Sequence, residues 1–143
     1  MSPNDMKSKV VPLCISLLIV LLTIFAPFGY LNYRTPLYIH DVLSNRVMIA
    51  YGILCFHTIL SSSIRMFSFE RTKLLFLFDS FLLIVFYAAV IMSSKEVLVE
   101  IKKYDWRYEY DPLGVNYVFF ISLFLLLSLE VFFNIKWIAS KEK

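Results

Sequence analysis

Hydrophobic residues fall into four long runs along this chain. Each run is about as long as a bilayer is thick, because a transmembrane helix needs roughly 20 mostly apolar residues. Short polar segments separate the runs, so consecutive helices are expected to be antiparallel neighbours. The sequence therefore predicts an all-α integral membrane protein, an up-down four-helix transmembrane bundle in a single membrane domain over residues 1–143. The predicted helices cover residues 10–30, 47–64, 74–92 and 114–135, with an external loop at 93–113.

The first run could be mistaken for a secretory signal peptide, since Lys7 and Lys9 precede it. It is longer than 15 residues and lacks an A-x-A cleavage pattern, so we interpret it as an uncleaved first helix. Pro12 falls in the first turn, where proline is tolerated, and Pro27 is expected to kink or end the helix.

The distribution of basic residues predicts the orientation. The N-terminal segment, the 65–73 connection and the C-terminal tail hold eight Lys and Arg residues, and the two other loops hold six. Because cytoplasmic loops carry an excess of these residues, both termini are expected on the cytoplasmic side. The compact uncleaved design favours a bacterial inner membrane.

Composition excludes several classes of function. The chain is 59% hydrophobic with a mean hydropathy of +0.72, which leaves no separate water-soluble core. Its basic residues lie at helix ends and form no patch for nucleic acid. Cys14 and Cys55 fall inside predicted helices, where we expect them to behave as small buried hydrophobes. No Cys/His cluster predicts a metal site, and no cofactor motif is present.

Three ionisable side chains fall inside the predicted helices: His57, Asp79 and Glu130. Such groups are costly in a membrane and suggest function. Asp79 and Glu130 lie at equal distances from corresponding helix ends, so they could share a proton or a cation. The competing interpretation is that each carboxylate reaches the interface or pairs with a basic neighbour, Arg71 or Lys73 for Asp79 and Lys136 for Glu130. No polar stripe is expected along any helix.

The predicted external loop combines aromatic and charged residues. Their alternation over residues 104–111 favours an extended segment, while the spacing of apolar residues from 97 to 108 favours an interfacial amphipathic helix. This composition is typical of partner-binding sites and also of membrane-interface belts. The candidate partner or interface residues are Tyr104, Trp106, Arg107, Tyr108 and Tyr110.

No sequence motif points to catalysis, so no catalytic residue is assigned and a membrane enzyme is the least favoured class. The first hypothesis is a small non-enzymatic protein of the accessory, immunity or exclusion type. It would act by binding another membrane protein, with membrane lipid around it and no nucleic acid as a partner. The alternative is an oligomeric small transporter or channel subunit that uses its intramembrane carboxylates.

Overall fold

The structure, a computed structural model, describes residues 3–31, 35–41, 44–67, 72–104 and 114–141. Four long α-helices dominate the described chain and pack against each other as the hydrophobic runs predict. Their bounds are α1 Pro3–Phe25, α2 Asn45–Phe67, α3 Thr72–Tyr104 and α4 Tyr117–Lys141.

Three of these helices contain stretches long and apolar enough to cross a membrane. These stretches are Asn45–Met66, Lys73–Glu100 and Tyr117–Ser140. In α1 the apolar stretch Lys9–Phe25 is shorter and packs alongside the others. The predicted all-α membrane bundle is therefore confirmed.

The helix ends differ from the predicted ones in physically informative ways. Helix α1 stops at Phe25, one residue before the Ala26–Pro27 pair, because proline removes a backbone donor and disfavours helix before it. Helix α2 continues to Phe67 and so includes Arg65, which the sequence prediction left in a connection. Helix α3 continues to Tyr104, so residues 93–104, which the sequence prediction placed in a loop, are helical.

Buried residues recur at alternating spacings of three and four along the helices. In α3 the series is Phe76, Asp79, Leu83, Phe86, Val90, Ser93 and Val97, all buried. This spacing is the heptad pattern that keeps one seam of a helix against its neighbours. Helix α3 packs against α2 and α4, and α1 closes the bundle against both α4 and α2.

A small antiparallel sheet covers one end of the bundle, which we call the sheet end. Its strands are β1 (Gly29–Leu31), β2 (Thr35–Leu37) and β3 (Gly114–Val115), in the order β2-β1-β3. Gly29 pairs with Leu37 on one side and with Val115 on the other. A 3-10 helix, Ile39–Asp41, follows β2 and contacts α3 and α1. The opposite end, where α2 ends and α3 begins, is called the turn end.

Polar side chains fix two helix starts at the sheet end. The Ser44 hydroxyl accepts a hydrogen bond from the Val47 amide at 3.3 Å, which caps α2, and donates to Glu96 of α3 at 2.8 Å. Asn116 caps α4 by accepting from the Phe119 amide at 3.3 Å. Its side-chain amide also donates to the Pro27 carbonyl at 2.9 Å, which ties α4 to the segment after α1.

The outside of the bundle is apolar, as a lipid-facing surface requires. Large side chains such as Ile59, Ile84 and Val118 are exposed there. Cys14 and Cys55 are also exposed, on the outer surface of α1 and α2. The expectation that both cysteines are buried is therefore wrong, because each lies outside the seam that faces the neighbouring helices.

Candidate polar site in the bundle core

Side chains from all four helices form one polar cluster in the core. The heptad seams direct these groups inward over about two helical turns, and each of the seven cluster residues is buried. The cluster consists of Ser16 from α1, His57, Ser61 and Arg65 from α2, Asp79 from α3, and Glu130 and Asn134 from α4.

The imidazole of His57 lies between two carboxylates. Its Nδ1 is 2.7 Å from Oδ1 of Asp79, a hydrogen-bond distance, and its Nε2 is 3.6 Å from Oε1 of Glu130. An ionised carboxylate can only accept hydrogen bonds, so Nδ1 carries the proton of the bond to Asp79. His57 thus links α3 to α4 from its position on α2.

A single oxygen of Glu130 receives most of the contacts to that carboxylate. The Ser16 hydroxyl donates to Oε1 at 2.6 Å and the Ser61 hydroxyl at 3.3 Å. Nη1 of Arg65 lies 3.7 Å from the same oxygen. The other oxygen, Oε2, is buried without a hydrogen-bond partner among the described residues.

The guanidinium of Arg65 is buried on the turn-end side of Glu130. It donates to the Ser61 hydroxyl and, through Nη2, to Oδ1 of Asn134 at 2.8 Å. Its central carbon lies 5.4 Å from the centre of the Phe76 ring, within the range of a cation–π contact. Phe76 in turn packs against Trp137, with ring centroids 6.0 Å apart.

Asn134 completes the cluster by joining its basic and acidic parts. While its carbonyl oxygen accepts from Arg65, its amide nitrogen donates to Oδ2 of Asp79 and to the Ser80 hydroxyl, both at 3.1 Å. Removing the Asn134 side chain would leave Nη2 of Arg65 and Oδ2 of Asp79 without this hydrogen-bond partner in the buried core.

An apolar layer separates the cluster from the sheet end. One turn from Ser16, His57, Asp79 and Glu130 in that direction lie four buried aliphatic side chains, one from each helix. They are Ile19, Leu54, Leu83 and Leu127. Beyond this layer, toward the sheet end, Thr23, Ser93 and Ser94 are buried polar residues, so the four aliphatic side chains separate them from the cluster.

Three cluster residues meet the spacing requirement of a metal site. One ligand atom each from His57, Asp79 and Glu130 lies within 4.8 Å of the others. The Arg65 guanidinium already lies next to Glu130, so its positive charge would repel a metal ion bound among these three residues. Of the described residues, only this cluster gathers three such groups.

The structure brings together all three intramembrane residues that the sequence singled out. Asp79 and Glu130 lie at one depth, as expected, and both contact His57. The interpretation that they reach the interface does not fit, because both are fully buried.

Most candidate residues of the predicted aromatic loop are not among the described residues. Tyr104 is the last residue of α3, and Trp106, Arg107, Tyr108 and Tyr110 lie outside the described residues. The hypotheses about these positions therefore stay predictions.

Sequence reasoning missed Arg65, Asn134, Ser16 and Ser61. A usable signal was present: Ser61 and Arg65 follow His57 at intervals of four residues, and Asn134 follows Glu130 by four. Residues at this interval share a helix face. The expectation that no helix has a polar stripe is therefore wrong for the turn-end half of α2.

Comparison with known proteins gives no indication of function. No protein-family model, curated protein sequence or solved structure matches this chain.

Proposed function

We propose that this protein is a small non-enzymatic membrane protein that acts by binding a partner within the membrane, of the accessory, immunity or exclusion type. The observation that carries this proposal is the closed polar cluster. Its charges contact one another inside the bundle, and the aliphatic layer blocks the way to the sheet end. Action by contact needs no continuous path through the protein.

The surface available to a partner is apolar over the spans and polar at the ends. At the sheet end the Ser44 and Asn116 caps fix the starts of α2 and α4, and in the sequence the predicted aromatic loop follows the end of α3. We place the partner contact at this end, with membrane lipid around the rest. The positive-inside rule puts it outside the cytoplasm, and we favour a bacterial inner membrane.

Native mass spectrometry of the complex extracted in mild detergent tests this proposal. The expected result is a stoichiometric heteromer with one larger membrane protein, identified by its peptides in independent preparations. Trp106→Ala should lower the bound fraction, because aromatic anchors dominate binding energy. Tyr117→Ala is the matched control, since Tyr117 is an exposed aromatic residue at the same end, outside the loop. A homo-oligomer with nothing else bound would contradict the proposal.

The same cluster favours a second candidate, an oligomeric transporter or channel subunit. Two carboxylates and a histidine in the membrane core are typical of proton and cation pathways. This function requires a second conformation in which the layer of Ile19, Leu54, Leu83 and Leu127 opens. It predicts proton or cation flux in liposomes that Asp79→Asn abolishes.

A further inference from the structure

We propose that the core cluster is a binding site for one proton, carried on Nε2 of His57 opposite Oε1 of Glu130, and that this proton holds the bundle closed. The inference is independent of the partner-binding function, since it concerns the state of the bundle itself.

The first argument is the arrangement of donors and acceptors. Asp79 accepts a hydrogen bond from Nδ1 of His57 at 2.7 Å, so a neutral imidazole would present a lone pair at Nε2. That lone pair would face Oε1 of Glu130, another acceptor, at 3.6 Å. Two acceptors repel each other unless a positive group lies between them.

The second argument is that the site contains unpartnered polar atoms. Nε2 of His57 and Oε2 of Glu130 are buried without hydrogen-bond partners among the described residues, and the side chains are 1% and 0% exposed. A buried polar atom without a partner costs about 1–3 kcal/mol in proteins. A proton on Nε2 gives that nitrogen a donor function directed at Glu130.

The third argument is the charge count. The described charged groups of the cluster are Asp79 from α3 and Glu130 from α4, which lie against His57, and Arg65 from α2, which lies against Glu130. Helix α1 contributes the neutral Ser16, which donates to Glu130. With a neutral imidazole these groups sum to one negative charge. One added proton makes the cluster neutral, whereas a divalent metal ion would leave one positive charge in the membrane core. Uncompensated charge is costly in such surroundings, so the count favours a proton.

The consequence is a bundle whose stability depends on this proton. If the proton leaves, a net charge and two facing acceptors remain among groups supplied by all four helices. The protonated form is therefore the more stable one, and stability should fall as pH rises through the point where the proton is lost.

Nitrogen-15 NMR of histidine-labelled full-length protein in nanodiscs tests the proposal. The His40→Gln background leaves His57 as the only histidine, because the chain has two. At pH 7.5 both ring nitrogens of His57 should carry protons. Glu130→Gln should remove one of the two protons, since the cluster is then neutral without it. Glu96→Gln, a carboxylate of α3 that contacts Ser44 at the sheet end, is the control and should retain both.

A second measurement covers the case in which Glu130→Gln does not fold. In the His40→Gln protein, the loss of the second proton on raising pH should coincide with a drop in the thermal unfolding midpoint. A neutral imidazole at pH 7.5 would overturn the proposal. So would an imidazolium that persists in folded Glu130→Gln, or proton loss without any change in the midpoint. A stoichiometric divalent metal ion in the native mass spectrum, whose chelation alters the His57 resonances, would also overturn it.

Discussion

Replacing Arg65 by methionine tests whether the charges of the core cluster stabilise the bundle as a unit. Methionine keeps much of the side-chain volume and the contact with Phe76, while it removes the guanidinium that donates to Asn134 at 2.8 Å and lies 3.7 Å from Glu130. The substitution therefore isolates the electrostatic and hydrogen-bonding role of Arg65 from its packing.

The size of the effect follows from what Arg65→Met leaves behind. Removing one partner of a buried ion pair costs about 3–5 kcal/mol, because the other charge stays buried without compensation. Glu130, Asn134 and Ser61 all lose a contact in this case. We expect the free energy of unfolding to fall by about 3–5 kcal/mol.

The double variant Arg65→Met with Glu130→Gln removes both charges together. Replacing a whole buried pair by neutral groups is often close to neutral for stability. The double variant should therefore lose less than the sum of the single variants, with a coupling free energy of about 1–3 kcal/mol.

The assay is SDS-induced unfolding in mixed micelles, followed by tryptophan fluorescence. Arg46→Met is the matched control, because Arg46 is exposed in the first turn of the same helix. It should change the free energy of unfolding by no more than about 0.5 kcal/mol. If Arg65→Met behaves like this control, or if the double variant equals the sum of the singles, the cluster does not act as a unit.

Three further predictions use the same unfolding assay. Leu83→Ala should cost about 2–5 kcal/mol by leaving a cavity in the aliphatic layer, whereas Leu77→Ala, exposed on the same helix, should cost much less. Asn134→Ala should cost about 1–3 kcal/mol by leaving its buried partners unsatisfied, and an effect within error of zero would refute its bridging role. Replacing Cys14 and Cys55 by alanine should change stability by about 0.5 kcal/mol or less, because both are exposed. A large loss would show that they pack in an interface.

The site residues that the sequence predicted are those whose side chains cost the most free energy to bury in a membrane. His57, Asp79 and Glu130 stand out because ionisable groups are rare within transmembrane segments. The common depth of Asp79 and Glu130 followed from the up-down topology alone, whereas the sequence did not predict that His57 lies between them. The cluster also contains neutral residues of types that occur in membrane helices, so residue type alone did not mark them as part of a site. These are Ser16, Ser61 and Asn134. The spacing of Ser61 from His57 and of Asn134 from Glu130 contains the information, whereas Ser16 has no charged cluster residue on its own helix.

The helix ends explain the remaining differences. A hydropathy pattern ends a helix at the first charges, which placed Arg65 in a connection and residues 93–104 in a loop. In the structure Val97 continues the three-and-four spacing of α3 and is fully buried. The short strands at the sheet end could not be predicted, because β1 and β3 are far apart in sequence and only two or three residues long. Such pairing depends on tertiary contacts.

Proton flux in liposomes tests most directly whether the bundle acts by contact and not by transport. The purified protein would be reconstituted with a pH-sensitive dye inside the vesicles, and the collapse of an imposed pH gradient would be followed. A closed core predicts the same rate of collapse as in protein-free vesicles. Faster collapse that Asp79→Asn abolishes and Glu96→Gln leaves intact would contradict the account and establish the carboxylates as a transport pathway.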